Sequence, residues 1–113
     1  MTEKKHISAE MLTLKWITKE LTEQEITDYL ICNLGAEKDL SLREIEVVTW
    51  NCFAIYQWSV GQVSFLGSFL KAVVDNDLGG AIGRADELNQ RALSLYVRFL
   101  YNVAPSDYKN RSV

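Results

Sequence analysis

Three arginines, Arg84, Arg91 and Arg98, stand seven residues apart, and Asn102 continues their line. On one continuous helix that spacing keeps them within about 40° of one another, beside a Leu88/Leu95 stripe. A guanidinium grips carboxylates and phosphates through parallel N–H bonds. Such a row can form the rim of a site for an acidic partner or for an anionic ligand such as a nucleotide. It serves structure alone if the arginines pair with carboxylates, Glu87 with Arg91 locally and others from the acidic N-terminal segment. The remaining reactive residues point away from catalysis. His6 is the single histidine and precedes the first helix signal. Glu23/Glu25 and Glu44/Glu46 belong to the first turns of capped helices, where the helix dipole favours negative charge. Gly79-Gly80-Ala81-Ile82-Gly83 is glycine-rich but has neither the spacing nor the preceding strand of a dinucleotide loop. Close backbone packing or a hinge explains it better. No HExxH, CxxC, GxSxG or phosphate-loop pattern occurs. The expectation is a protein that is not an enzyme and carries no metal or cofactor.

The elements that position these residues form one domain. A chain of 113 residues with 48% hydrophobic and 24% charged residues is long enough for one core and too short for two. A net charge of -3 speaks against broad binding to nucleic acid or to an anionic membrane. Cys32 and Cys52 lack metal-type spacing. The N-terminus shows no secretory signal, so both are expected to be buried, reduced thiols of a cytoplasmic protein. The single proline, Pro105, leaves almost all of the chain free to be helical.

Val47–Leu70 dominates the hydropathy pattern. It has no charged residue and holds Trp50, Trp58, Phe53, Phe65 and Phe69. A span of about 20 apolar residues would cross a bilayer. Yet Asn51, Gln57 and Gln62 lie inside it, and the flanks lack a lysine and arginine bias. A soluble core helix is the better reading. Helix signals surround it. Ser8 caps a first helix on which Met11, Leu14 and Thr18 are expected to share one face with Leu21, with Trp16 and Ile17 beside it. Thr22 and Glu25 form a capping box for a second helix through Ile26, Tyr29, Leu30 and Leu34, stopped by Gly35. Ser41 and Glu44 form another box, with Leu21/Ile26 and Leu40/Ile45 spaced as hydrophobic staples.

The third helix is expected to run over about 42–74, with the stripe Ile45, Val48, Cys52, Ile55, Ser59, Val63, Leu66, Leu70, Val73. Unbroken, it would be roughly 50 Å long, more than the roughly 30–35 Å breadth of a compact domain this size. It must therefore bend near Gly61 or Gly67, or project and be covered by another subunit. Gly61, Ser64 and Ser68, with Trp58, would then make an oligomer interface of small residues. Residues 78–85 read as a short helical turn, and Asp86 caps a last helix ended by Pro105. Its inner stripe is Leu88, Ala92, Leu95, Phe99 and Val103. Trp50, Tyr56, Trp58, Tyr96 and Tyr101 are expected in the core, with an interface as the alternative. The fold expectation is all-α, a bundle of four main helices around the 42–74 helix, with residues 1–7 and 106–113 as flexible tails.

Over roughly Gly61 to Pro105 the chain also carries a pattern of a known kind. It comprises Asn76-Asp77-Leu78, Gly83-Arg84-Ala85-Asp86, Asn89, Ala92-Leu93, Tyr96-Val97, Phe99-Leu100-Tyr101-Asn102 and Ala104-Pro105. This run resembles small helical accessory proteins encoded in temperate phage and prophage genomes. The resemblance attaches no activity to any residue. It implies a setting inside a bacterial host cell, where such proteins often bind one host protein, for example a nuclease, polymerase or defence component. The expectation is thus a protein-binding accessory factor that self-associates. The alternatives are an anion- or nucleotide-binding module on the arginine row, a DNA-binding regulator, and a membrane lysis factor.

Overall fold

The computed structural model describes residues 8–35 and 39–109, and His6 lies outside them. Among the described residues five of the seven helices start at a side-chain cap, and three end at a residue with positive φ. Ser8 begins α1 (Ala9–Ile17), its hydroxyl accepting the Met11 N–H at 3.1 Å. Both expected capping boxes are present. Thr22 and Glu25 open α2 (Glu23–Cys32), and Ser41 and Glu44 open α3 (Leu42–Ser59). Each box pairs two backbone amides that a helix start leaves orphaned.

The long hydrophobic stretch is cut at Gly61. Gly61 adopts φ 84°, its N–H bonds to the Trp58 carbonyl at 3.2 Å, and the Gln62 N–H returns to the Gln57 carbonyl at 2.8 Å. This pair of bonds is a Schellman motif, which needs a left-handed residue just past the helix and so favours glycine. The chain resumes as α4 (Ser68–Val74) after Gly67. The continuous 42–74 helix is therefore replaced by one of 18 residues and one of 7. At about 1.5 Å per residue α3 spans roughly 27 Å, well within the molecule's longest extent of 45 Å. The interface stripe disappears with the long helix. Gly61 and Ser64 lie in the connection, and Ser68 opens α4, so the three share no helical face.

α1 and α4 end in the same way with non-glycine residues, Lys19 and Asn76, each at φ 63°. Their closing bonds are Glu20 N–H to the Lys15 carbonyl and Asp77 N–H to the Ala72 carbonyl, both 2.8 Å. Asp77 then caps α5 (Leu78–Arg84) through the Gly80 N–H at 3.0 Å. A Cβ on Gly80 would collide with that carboxylate. Asp86 caps α6 (Glu87–Arg91) as expected, but the last helix is divided. Buried Ala92, at φ -95° and ψ 3°, joins α6 to α7 (Leu93–Val103). Four expected helices become seven among the described residues, which contain no strand.

α2 lies along α3, α5 lies on α4, and α1 packs against α2 and α7, while α3 also meets α4 and α7. One core results, with Leu12, Trp16, Ile26, Leu30, Val48, Ile55, Tyr56, Leu95, Tyr96, Phe99 and Val103 fully covered. Trp16 occupies its centre. Tyr56 and Tyr108 meet the indole edge-on at 5.5 Å and 5.9 Å, and Phe99 lies tilted against it at 6.1 Å. This corrects the expected face of α1. Burying the largest apolar side chain of the helix turns Leu12 and Trp16, one turn apart, inward. Leu14 and Ile17 are left 63% and 58% exposed. The expected aromatic core is also divided. Tyr56 and Tyr96 are buried and Trp58 half-buried, whereas Trp50 and Tyr101 face outward. Cys52 is buried, and burial pushes its thiol pKa up, but Cys32 is exposed, contrary to expectation.

Polar ties cross between helices where side chains meet inside. The Tyr96 hydroxyl accepts from Asn51 Nδ2 at 2.7 Å and donates to Asn89 Oδ1 at 2.6 Å, joining α3, α6 and α7. Thr27 and Thr49 hydroxyls meet at 2.8 Å between α2 and α3. The Thr13 hydroxyl lies 2.6 Å from the Val103 carbonyl at the end of α7. Buried hydroxyls and amides need such partners, because leaving one unpaired costs about 1–3 kcal/mol.

Candidate functional site

The arginine row is not a site in the form expected of it. Arg84 ends α5, Arg91 ends α6 and Arg98 lies within α7, so no single helix aligns them. Each guanidinium has its own protein target. Arg84 Nη1 donates to the Gly80 carbonyl of its own helix at 3.2 Å. Arg91 reaches Glu44 at 3.2 Å and Asp39 at 3.4 Å, in place of the local Glu87. Arg98 Nη2 donates to the Asn33 carbonyl at 3.2 Å, and its Nη1 to Ser94 Oγ at 3.0 Å. Arg91 and Arg98 thus hold the start of α3 and the end of α2, with positive charge placed at a helix C-terminus. Hydrogen bonding from the Ser41 backbone, then from Arg91, holds Glu44 below the usual carboxylate range. Asn102 is exposed on α7. Acidic partners of this protein's own chain occupy Arg91, which leaves it poorly placed to capture a ligand.

A different feature is concave. α4, α7 and the segment after α7 enclose a groove of about 320 Å³. Val73 and Val74 contribute from α4, Val97, Leu100 and Tyr101 from α7, and Ala104, Pro105 and Tyr108 from the C-terminal side. Asn76, Ser106 and Lys109 supply its polar atoms. The size falls at the lower end of the range for ligand pockets, which are mostly apolar with a few polar groups. Tyr101 stands 88% exposed beside it and Val97 38% exposed. These residues arrive from two unrelated positions in the chain. α4 places Val73 and Val74 just before its left-handed reversal at Asn76. α7 turns Leu95, Phe99 and Val103 into the core and leaves Val97 and Tyr101, one turn apart, on its outer side.

No carboxylate, thiol or imidazole lines the groove. Tyr108 is its most shielded ionisable group, and burial followed by the nearby Asp75 charge raises its pKa above the ordinary tyrosine value. At neutral pH the lining therefore offers apolar contact and neutral hydrogen bonds plus the Lys109 cation, with no acid–base pair. Among the described residues no cluster of histidine, cysteine or acidic side chains could hold a metal ion. Nor is any described helix long and apolar enough to cross a membrane.

The groove escaped sequence reasoning, although one signal was present. Val97 and Tyr101 are an apolar pair one turn apart, off the Leu88/Ala92/Leu95/Phe99/Val103 stripe. An apolar pair outside the buried stripe of an amphipathic helix marks a second contact face. Comparison with protein-family models, with curated proteins and with solved structures finds no match to this chain.

Proposed function

We propose that this chain is a non-enzymatic binding protein that receives an apolar segment of a protein partner in the α4/α7 groove. The observation that carries this reading is the open aliphatic groove with exposed Val97 and Tyr101 on its border. Aromatic and aliphatic side chains around a concavity are the usual anchors of protein recognition. The resemblance to temperate-phage accessory proteins adds a setting, a bacterial host cell, with a host factor or defence component as partner. Self-association keeps weaker support. The small-residue stripe is gone, and Leu42, Phe65 and Tyr101, 75%, 79% and 88% exposed, now carry it.

The test is capture from a bacterial lysate on tagged wild-type protein and on Val97→Glu. Val97 is partly exposed, so a carboxylate there leaves the core intact while placing charge in the groove. A specific protein retained by the wild type and lost by Val97→Glu is the expected result. Equal retention by both overturns the assignment of the groove.

A further inference from the structure

The groove's third wall is not a helix. From Pro105 to Lys109 the chain forms turns with one internal backbone bond, Tyr108 N–H to the Pro105 carbonyl at 2.9 Å. This segment, expected to be a frayed tail, lies against the body of the protein. Ser59, the last residue of α3, donates its hydroxyl to the Tyr108 carbonyl at 2.8 Å. Ser59 Oγ in turn accepts the Trp16 indole N–H at 3.1 Å. The Tyr108 ring meets the Trp16 ring edge-on at 5.9 Å. One hydroxyl therefore joins the central tryptophan to the strap.

We propose that Pro105–Lys109 is a detachable strap that completes the groove when docked and removes its wall when released, with Ser59 as the catch. The inference rests on the reading of the groove as a binding site and adds a means of regulating it. The strap supplies Pro105, Ser106, Tyr108 and Lys109 to the lining. Against the body it has one hydroxyl bond and two partly buried side chains, Pro105 and Tyr108, whereas α7 has five buried ones. Segments with few buried contacts open without unfolding the remainder. An occupant that touches the strap binds the docked state better than the released one, so occupancy and docking favour each other.

Native-state hydrogen exchange on the full chain tests the strap without any partner. The Tyr108 amide is expected to exchange by local opening, at least about tenfold slower than in an unstructured peptide and with little dependence on urea. The Phe99 and Val103 amides should follow the larger, urea-dependent opening. Ser59→Ala should speed Tyr108 exchange about three- to tenfold, the size of one hydrogen bond, and should also speed Phe99 exchange, because the buried Trp16 indole N–H loses its acceptor. In a Trp50→Phe, Trp58→Phe background, Tyr108→Ala should shift Trp16 emission to longer wavelength with helix content retained. The proposal is overturned if Tyr108 exchanges together with Phe99, if it exchanges as an unstructured peptide, or if Ser59→Ala changes nothing. Exchange as expected, combined with a lysate partner indifferent to Val97→Glu, would retain the strap and reject the groove as the binding site.

Discussion

The helices before Gly61 and those after it are built on different terms. α1, α2 and α3 have 9, 10 and 18 residues, and a side-chain hydrogen bond closes the start of each. α4, α5 and α6 have only 7, 7 and 5 residues, although Asp77 and Asp86 cap the last two, and α7 has 11 with no side-chain cap. Only α3 exceeds the roughly 12–15 residues below which an isolated helix is marginal, the second region's three short helices fall furthest below it, and α5 also contains three glycines, Gly79, Gly80 and Gly83. The first region draws its order from local signals reinforced by packing. The second depends on tertiary contact, above all the burial of Val73, Val74, Leu95, Tyr96 and Phe99. The groove and its strap belong to the second region. Surfaces that change on binding come from the less stable parts of a fold, because opening there costs less.

The sharpest way to break that contrast is to remove what the two regions share. Trp16 sits between Tyr56 of α3 and Phe99 and Tyr108 of the C-terminal part. Trp16→Ala should destabilise the protein by about 3–5 kcal/mol in urea unfolding, with both regions lost in one transition. Separate transitions would make the regions independent units. Ser41→Ala, next in size, should cost about 1 kcal/mol by removing the cap of α3. Glu44 keeps its bonds to the residue 41 backbone N–H and to Arg91 in that variant, so the loss should persist in an Arg91→Ala background.

Alkaline titration separates the core chemically. Folded Cys52 keeps its proton well above the ordinary thiol value, whereas unfolded Cys52 ionises near 8.5. The unfolded state then binds fewer protons, so stability is full below about pH 8.5 and falls as pH rises through that value. Cys52→Ala should remove this early slope and leave the later one from Tyr56 and Tyr96, whose pKa values burial also raises. An identical pH profile for the variant would contradict the burial of Cys52. The smallest effect should be a gain. Gly67 begins α4 with no side-chain cap, and a Cβ there meets nothing within 4 Å. Gly67→Ser should stabilise by a few tenths of a kcal/mol. A gain in Tyr108 protection with it would show that α4 supports the strap.

The same division governs how much could be read without the structure. Helix starts at 22, 41 and 86 were legible because a cap and its target lie three residues apart. The inner stripe of α3 was legible as far as Ser59, where the helix ends. Gly61 was recognised as a place to bend, but the two closing bonds that make it a stop depend on backbone geometry. On α1, apolar residues occur on several faces, and contact with Tyr56 and Phe99 decided in favour of Leu12 and Trp16. The arginine row failed because heptad spacing aligns side chains only on an unbroken helix, and Ala85 and Ala92 interrupt this one. The groove joins residues 73–76 to residues 97–109, a pairing that no local pattern encodes.

The assignment of the groove is tested most directly by site-specific photocrosslinking in bacterial cells. A photoreactive phenylalanine analogue would be placed at Val97 or Tyr101 in the groove, and at Leu14 on the exposed face of α1 as a control. One discrete adduct from positions 97 and 101, absent from position 14, is expected, and a mass of twice the chain would identify the partner as a second copy. Adducts from position 14 with none from 97 or 101 would contradict the assignment.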